Sequence, residues 1–243
     1  MITVKEPGEK FEIPEGIIIT DRNIKKYYSK LIDSRTIVIP PGEKSKSLAM
    51  FEKVVKKISN AEVIIALGGG VVGDLTGFVA ATYKRGIRLI QIPTTLLAMI
   101  DSSIGGKNGV NILNKKNYIG TFHLPEEIII NVNFLKTLPK KEFSEGVAEM
   151  IKYWYMFNTV DSERLLRGIK KSDGDLKELI KKCAKQKQAI VEKDLEDKGI
   201  RHTLNFGHTV GHALELDYKL SHGKAISIGM IKEAEIAYRL GLI

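Results

Sequence analysis

Short apolar runs rich in Ile and Val recur along the first half of the chain. They fall at 16–20, 36–40, 62–67, 87–93 and 126–132, and each is nearly continuous rather than alternating with polar residues. Such runs are typical of strands that are buried on both faces of a parallel sheet. Helical patterns near 46–58 and 71–84 separate some of these runs. The first half is therefore predicted to be an α/β domain with a mostly parallel sheet.

The pattern changes after the stretch TLPKKEF, where the β-branched runs stop. Helix-like segments follow at 141–157, 161–170, 174–194, 204–216 and 223–241, and glycine or polar residues separate them. Pro139 follows a short polar stretch and marks the expected boundary. We predict an α/β domain over residues 1–139 and an all-helical domain over residues 140–243.

Composition narrows the class of protein. The chain has no run of 18 apolar residues and no apolar core of a secretory signal, so neither a membrane span nor a membrane partner is expected. Its single cysteine, Cys183, cannot form an internal disulfide, which fits a cytoplasmic location. The net charge of +9 is compatible with binding to nucleic acid, with an anionic small substrate or with the Lys- and Glu-rich surface of a thermophile protein. Most lysines lie in mixed-sign runs that are typical of solvated helix faces, and the sequence shows no basic stripe interleaved with aromatic residues, so nucleic acid is not expected as a partner.

A glycine-rich turn follows the third apolar run. Gly68, Gly70 and Gly73 have G-x-G-x-x-G spacing between a predicted strand and a predicted helix, which is the context of a dinucleotide-binding turn. A tight turn without a ligand has the same spacing. The acidic residue expected about 20 positions later is absent, and IPTT stands there instead. Asp21, at the end of GIIIT, is an alternative partner for a ribose hydroxyl.

Two further stretches in the first half carry polar side chains. Thr94 and Thr95 end a predicted parallel strand, where open α/β sheets bind ligands, although strand-end capping explains them equally well. AMIDSSIGGKNGVN follows and combines an acid, two hydroxyls, two adjacent glycines and Lys107. Such a turn can hold a phosphate or a carboxylate, or it can be an ordinary surface loop.

The helical half contains four of the five histidines within 21 residues, His202, His208, His212 and His222. Together with Glu149 in GVAEMIKY, two of these imidazoles would make a catalytic divalent-metal site with an open position, typically for zinc. For any single histidine a packing role is also possible. His208 and His212 are four residues apart on a predicted helix and can share one ion, so spacing leaves open whether they act together.

Cationic and amide side chains accompany these candidate ligands. Lys152 lies three residues after Glu149, and Lys187, Arg201 and Asn205 precede His208. If they converge, the site would suit an acidic substrate that carries both a carboxylate and a phosphate. Taken alone, Lys187 fits the solvated face of a lysine-rich helix.

Six ordered motifs, spread from about residue 40 to the end, resemble the 3-dehydroquinate synthase family. They are PGEKSKS, ALGGGVVGDLTGFVAATYKRGI, IPTTLLAMIDSSIGGKNGVN, LPKKEFSEGVAEMIKY, KQAIVEKDLEDKGIRHTLNFGHTVGHALE and LSHGKAISIGM. The resemblance implies an N-terminal NAD-binding α/β domain, a C-terminal helical domain that binds metal and substrate, and an active site in the cleft between them. It also implies a homodimeric shikimate-pathway enzyme that converts 3-deoxy-D-arabino-heptulosonate 7-phosphate to 3-dehydroquinate and phosphate.

Matching by motif position assigns roles to individual residues. The resemblance implies that zinc or cobalt is bound by Glu149, His208 and His222, and that His212 lies near the reacting groups instead. Residues that resemble the family's substrate and catalytic residues are Asp101, Lys107, Lys116, Asn117, Lys152, Lys187, Arg201, Asn205 and His212. Residues that resemble NAD contacts are Asp21, Glu43, Lys46, Gly69, Gly70, Val71, Asp74, Thr94 and Thr95, with Lys107 and Lys116 also near the cofactor. Arg85 resembles a residue that reaches a substrate phosphate across a subunit boundary.

In the chemistry that the resemblance implies, NAD transiently oxidises a secondary alcohol and is regenerated in each turnover. Phosphate leaves in between, and a later aldol step closes the carbocycle. The metal polarises the reacting oxygens, Lys152 and Lys187 stabilise oxyanions, and His212 and Asn205 orient the phosphate or relay a proton.

The sequence departs from the family in three respects. Family members usually continue beyond the equivalent of Ile243, so the helical domain is expected to be incomplete. HGK replaces the usual HGE and places Lys224 beside His222, and KYW replaces KYG and places Trp154 near Lys152. Three other functions remain open: a different sugar-phosphate cyclase, a metal- and NAD-dependent polyol dehydrogenase, and a non-catalytic binding protein.

Overall fold

The computed structural model describes residues 1–5, 9, 11–113, 115–158, 163–164, 167–171 and 174–243. The chain forms two compact units, Met1–Leu138 and Pro139–Ile243. Among the described residues, none of the helices is both long and apolar enough to cross a membrane.

The first unit is built on a parallel sheet. Its strands are β1 (Ile2–Val4), β2 (Ile17–Asp21), β3 (Ile37–Ile39), β4 (Val63–Gly68), β5 (Arg88–Pro93), β6 (Lys107–Ile112), β7 (Lys115–Phe122) and β8 (Glu127–Ile130). Six of them form one sheet in the order β1-β8-β5-β4-β2-β3, and every neighbouring pair is parallel. The strands β6 and β7 form a separate antiparallel hairpin.

The predicted parallel sheet is confirmed, and burial explains why its strands are so apolar. Ile19, Ile64, Leu67 and Ile92 are completely buried, because helices cover both faces of such a sheet. The α-helices among the described residues of this unit are α1 (Arg22–Tyr27), α2 (Leu48–Val55) and α3 (Gly70–Thr82). Neither β1 nor the hairpin was predicted from the sequence, because β1 has only three residues and the β7 side chains are mostly exposed.

The second unit is helical, as predicted. In the described part of this unit, the helices are α4 (Lys140–Phe157), α5 (Leu176–Lys193), α6 (His208–Tyr218) and α7 (His222–Arg239), and a 3₁₀ turn spans Ile200–Asn205. The helix predicted over 161–170 falls on a segment in which 161, 162, 165 and 166 lie outside the described residues. The helix predicted to begin at residue 204 begins at His208 instead, because Gly207 has a left-handed φ of 81° after the 3₁₀ turn.

Glycines allow three of these helices to approach closely. A Cβ atom at Gly229 of α7 would lie 2.0 Å from the carbonyl oxygen of Gly207, just before α6. A Cβ atom at Gly223, in the first turn of α7, would lie 2.8 Å from the Cα atom of Glu145 on α4. Side chains at these positions would therefore push apart α4, α6 and α7, the helices that carry the candidate metal ligands.

Candidate metal and cofactor sites

Three side chains that are far apart in the sequence meet inside the second unit. Glu149 projects from the buried face of α4 and is fully buried, while His208 and His222 are the first residues of α6 and α7. The Oε1 atom of Glu149 lies 3.3 Å from His222 Nε2 and 3.5 Å from His208 Nε2. One ligand atom from each residue lies within 4.8 Å of the other two.

These spacings fit a single tetrahedral ion. Two donors bound at about 2.0–2.2 Å around a tetrahedral zinc ion are about 3.4 Å apart. The two distances from Glu149 Oε1, 3.3 and 3.5 Å, bracket that value. One carboxylate and two imidazoles also leave a fourth position for water or substrate, as catalytic zinc sites do. The donor set therefore fits a divalent metal.

The protein environment shifts the pKa values of the two imidazoles in opposite directions. Burial, aided by the positive charge of Lys152, lowers the pKa of His208 below its ordinary value. Burial also acts to lower the pKa of His222, but hydrogen bonds and charge from Glu149 and Glu215 outweigh it, so this pKa is raised. The lowered pKa of His208 favours its neutral form, which is the form that binds metals, whereas the raised pKa of His222 favours its protonated form more than in an ordinary imidazole.

A second group of possible ligands shares one member with the first. His212, Glu215 and His222 also have ligand atoms within 4.8 Å of one another. However, the Glu215 Oε1–His222 Nδ1 distance is 2.9 Å, which fits a direct hydrogen bond better than two donors around a tetrahedral ion. His212 is exposed, whereas Glu149 is fully buried. The geometry favours the group around Glu149.

Lys152 is the closest cation to this group among the contacts described. Its ammonium forms an ion pair with Oε2 of Glu149, and both side chains are almost completely buried. The two carboxylate oxygens therefore face different partners, with the imidazoles nearest Oε1 and the ammonium nearest Oε2. This arrangement orients the carboxylate and keeps a positive charge next to the place where a metal would bind.

The other predicted polar residues of the helical half lie on neighbouring elements. Lys187 is buried on α5. Arg201 is buried in the 3₁₀ turn and donates from Nη1 to the Leu195 carbonyl oxygen at 2.8 Å, while Asn205 ends this turn and is exposed. The carboxylate of Asp194 accepts the backbone N–H of Arg201 at 3.0 Å and so helps to fix the start of the turn.

Of the two residues at which the sequence departs from the family pattern, Lys224 is exposed on α7, and Trp154 is partly buried on α4.

In the first unit, the glycine-rich turn lies between β4 and α3, as predicted. Gly69 precedes the helix, and Gly70 and Val71 begin it. A Cβ atom at Gly69 would lie 2.9 Å from Cγ2 of Thr95, and Thr94 donates its backbone N–H to the Gly68 carbonyl at 3.0 Å. The ends of β4 and β5 therefore meet at the helix N-terminus, where exposed N–H groups favour a pyrophosphate.

Further predicted cofactor residues are connected by contacts near this turn. Lys46 forms an ion pair with Asp74 of α3, and both side chains are largely buried. Glu43 Oε1 accepts from Asn111 Nδ2 at 2.8 Å, and Asn111 Oδ1 accepts the backbone N–H of Asn117 at 2.8 Å. Asn111 was missed by the sequence reading, since a contact across 68 residues leaves no local signal.

The remaining predicted residues of this unit occupy the ends and turns of elements. Asp21 caps α1 by accepting from the backbone N–H groups of Asn23 and Ile24. Asp101 lies in a single π-helical turn over Ala98–Ser102, a feature often found at functional sites. Three predicted residues are exposed: Lys107 at the start of β6, Lys116 on β7 and Arg85 in a turn.

Comparison with known proteins agrees with this arrangement. Family models described as 3-dehydroquinate synthase N-terminal and 3-dehydroquinate synthase C-terminal match residues 36–145 and 146–243. A 3-dehydroquinate synthase of Alkaliphilus metalliredigens is 40% identical in an alignment of 246 positions, which covers 93% of this chain and 69% of that protein.

Two solved structures are also similar. A 2-deoxy-scyllo-inosose synthase, complexed with carbaglucose-6-phosphate, NAD+ and Co2+, is 28% identical, with a TM-score of 0.81 over 93% of this chain and 68% of that one. The 2-epi-5-epi-valiolone synthase ValA of Streptomyces hygroscopicus, with NAD+ and Zn2+ bound, is 26% identical, with a TM-score of 0.81 over 93% and 69%. The cofactors of these neighbours, NAD and cobalt or zinc, are those predicted from the sequence. Because the two family models together match residues 36–243, the chain belongs to the 3-dehydroquinate synthase family.

Proposed function

We propose that this chain converts 3-deoxy-D-arabino-heptulosonate 7-phosphate to 3-dehydroquinate and phosphate, with NAD and a divalent metal as cofactors. The observation that carries the proposal is the convergence of Glu149, His208 and His222, at spacings that suit one ion. The family to which the chain belongs supplies the reaction.

The helical unit would hold the metal and the reacting end of the substrate. Glu149, His208 and His222 would bind the ion, which supplies Lewis-acid polarisation of substrate oxygens when bound. The ammonium of Lys152 is paired with Oε2 of Glu149, whereas the imidazoles are nearest Oε1. From this position the ammonium can stabilise an oxyanion that develops on the substrate. Burial strengthens this effect because water screens the charge less.

Two more cations in this unit suit an anionic substrate. Lys187 and Arg201 are both nearly completely buried, and positive charges in a low-dielectric environment attract anionic groups more strongly than exposed ones do. We assign them to the carboxylate and phosphate groups of the substrate. Asn205 and His212 are exposed, which leaves their side chains accessible to orient the phosphate or relay a proton.

The first unit would bind NAD at the end of its sheet. The turn at Gly69 and Gly70 brings backbone N–H groups to the start of α3, and Thr94 and Thr95 lie directly beside it. Close to this turn, Lys46 forms an ion pair with Asp74 of α3, and Glu43 accepts a hydrogen bond from Asn111. We assign residues 1–139 to the NAD-binding domain and residues 140–243 to the metal- and substrate-binding domain.

Related cyclases are the second candidate function, because the proteins of the two solved structures above are synthases of other products, 2-deoxy-scyllo-inosose and 2-epi-5-epi-valiolone. Their identities of 28% and 26% are well below the 40% of the 3-dehydroquinate synthase relative, so the latter reaction is favoured. We further propose a homodimer that acts on a small sugar phosphate in the cytoplasm, without a nucleic-acid or membrane partner. The net charge of +9 supports an anionic substrate.

Phosphate release from the heptulosonate phosphate tests the proposal. The protein is assayed with NAD and cobalt, with and without a chelator, while absorbance follows NADH. We expect phosphate release that the chelator abolishes and added metal restores, without accumulation of NADH. The variant Glu149→Gln should be inactive, whereas Glu235→Gln, which alters an exposed carboxylate on α7, serves as the matched control. Stoichiometric NADH would indicate a dehydrogenase instead, and no turnover by a folded, metal-loaded protein would contradict the proposal.

A further inference from the structure

A carboxylate outside the proposed ligand set contacts one of the ligands directly. Glu215 lies on α6, seven residues after His208, and its Oε1 atom is 2.9 Å from Nδ1 of His222 at the start of α7. The opposite ring nitrogen, Nε2, lies 3.3 Å from Oε1 of Glu149. The imidazole is therefore held between two carboxylates from two different helices.

We propose that Glu215 is a positioning residue, which fixes the tautomer and the ring orientation of His222 so that Nε2 faces the metal. The inference rests on the proposed metal centre, but not on the reaction that the metal promotes. Both ring nitrogens face a carboxylate, but Glu215 Oε1 is the nearer acceptor, at 2.9 Å against 3.3 Å for Glu149 Oε1, and Glu149 already forms an ion pair with Lys152. An ionised carboxylate can only accept hydrogen bonds, so the proton of a neutral imidazole is expected on the nitrogen that faces Glu215. In a neutral imidazole the lone pair then lies on Nε2, the nitrogen that points to Glu149.

The backbone at the start of α7 is held by contacts that do not involve Glu215, so rotation of its ring is the main freedom that remains to His222. The N-cap residue of α7, Ser221, makes no side-chain capping hydrogen bond. Glu145 of α4 replaces it by accepting the backbone N–H of Gly223, and Glu145 is buried. A negative charge at the N-terminus of a helix is favourable. With the helix start held in this way, Glu215 is left to control the rotation of the ring.

The environment makes the Glu215–His222 contact effective. The side chain of Glu215 is only 11% exposed and that of His222 is 31% exposed, so water screens the contact incompletely. Hydrogen bonds to ionised acceptors are stronger than those between neutral groups. Carboxylates that bond the outer nitrogen of a metal-bound histidine also raise its basicity, and their loss typically weakens metal binding about 10–100-fold.

His208 is oriented by a different type of acceptor. Its Nδ1 atom lies 3.2 Å from the carbonyl oxygen of Phe206, two residues before it. Both proposed imidazole ligands thus present Nε2 inwards, one through a local backbone carbonyl and the other through Glu215 of a neighbouring helix. The loss of Glu215 should therefore affect His222 and leave the orientation of His208 intact.

Cobalt affinity, measured by competition with a chromophoric chelator, tests this role without any need for turnover. Glu215→Ala should bind cobalt about 10–100-fold more weakly than the unaltered protein. Glu215→Gln should show a smaller loss, because an amide oxygen still accepts from Nδ1–H. Asp217→Asn removes an exposed carboxylate two residues further along α6 and should change affinity less than about twofold, as surface changes usually do.

Nitrogen NMR of the unaltered protein, labelled with ¹⁵N-histidine, provides the second measurement and requires no variant. The neutral form of His222 should carry its proton on Nδ1, and Glu215→Gln should reduce that preference. Protonation at Nε2 in the unaltered protein would overturn the proposal, as would cobalt affinity in Glu215→Ala within twofold of the unaltered value.

The outcomes separate this proposal from the metal centre itself. If the unaltered protein binds no cobalt, the metal centre fails and Glu215 loses its role with it. If the protein binds cobalt but His212→Ala loses as much affinity as Glu215→Ala, Glu215 is a direct ligand in the second group, and the positioning role is wrong. Should Glu215→Ala fail to fold, Glu215→Gln and the NMR measurement decide.

Discussion

Replacing His208 and His212 in turn separates their roles, which their spacing left open. The structure places His208 Nε2 3.5 Å from Glu149, whereas His212 is exposed and belongs only to the second group of possible ligands. We therefore expect His208→Ala to lose the metal. His212→Ala should keep the metal and lose catalytic rate instead.

The size of the expected loss follows from the number of ligands. Four-ligand zinc sites bind with about 10–16 kcal/mol, or about 2.5–4 kcal/mol per ligand. At about 1.4 kcal/mol per tenfold change in affinity, removal of His208 should weaken binding about 10²–10³-fold. The ring of His212 is close to that of His208, with 5.3 Å between their centroids, but it makes no part of the group around Glu149. Its removal should change the affinity by less than about threefold.

The assay is a cobalt titration of both variants at one pH, together with the metal content after dialysis. Circular dichroism of both variants checks that the fold is retained. Equal losses in the two variants would show that both imidazoles bind the ion. A larger loss in His212→Ala would move the metal to the group of His212, Glu215 and His222, and would refute the assignment made here.

Three further predictions follow from contacts in the same structure. Lys152→Met leaves the buried Glu149 carboxylate without its ammonium partner, which should lower the free energy of unfolding of the metal-free protein by about 3–5 kcal/mol. Denaturant unfolding in the presence of a chelator should show this loss, and added cobalt should restore part of the stability. Gly229→Ala would place a Cβ atom 2.0 Å from the Gly207 carbonyl oxygen, and the overpacking should lower the free energy of unfolding by about 1–3 kcal/mol and weaken cobalt binding. The control Gly174→Ala, with no atom within 4 Å, should leave thermal stability and cobalt affinity unchanged. Unaltered thermal stability and cobalt affinity in Gly229→Ala would contradict the packing argument. The pKa of Asp194 is lowered by backbone hydrogen bonds, first from Lys198 and then from Arg201. The stabilisation of the folded state by the ionised Asp194 is therefore fully present above the unfolded pKa of about 3.9, and it is lost as the pH falls through the lower folded pKa. Asp194→Asn should therefore flatten the acid dependence of thermal stability below about pH 4, and an unchanged slope would show that these hydrogen bonds contribute little.

Patterns along the chain were sufficient to predict the parallel sheet, the helical second half and the family. Strands buried on both faces are continuously apolar, so runs such as Val63–Gly68 stand out in the sequence. The family models and relatives confirm the predicted 3-dehydroquinate synthase. Gly207 and Gly223, which adjoin the proposed ligands His208 and His222, both lie in close helix contacts.

Contacts between residues that are distant in the sequence could not be predicted from such local patterns. Glu149 and His222 are 73 residues apart, and Glu145 and Gly223 are 78 apart. Glu233 likewise caps α6 from α7, by accepting the backbone N–H groups of Gly207 and Val210 at 2.7 and 3.2 Å. In the sequence such acids resemble ordinary charges on a helix surface. Only the packing of the helices shows which of them face the metal ligands.

Anomalous diffraction from crystals of the cobalt-loaded protein tests the metal centre most directly. We expect one strong cobalt peak in the second unit, at about 2.0–2.2 Å from a Glu149 oxygen and from Nε2 of both His208 and His222. A peak bounded by His212 and Glu215 instead, or the absence of any peak near Glu149, would contradict the account.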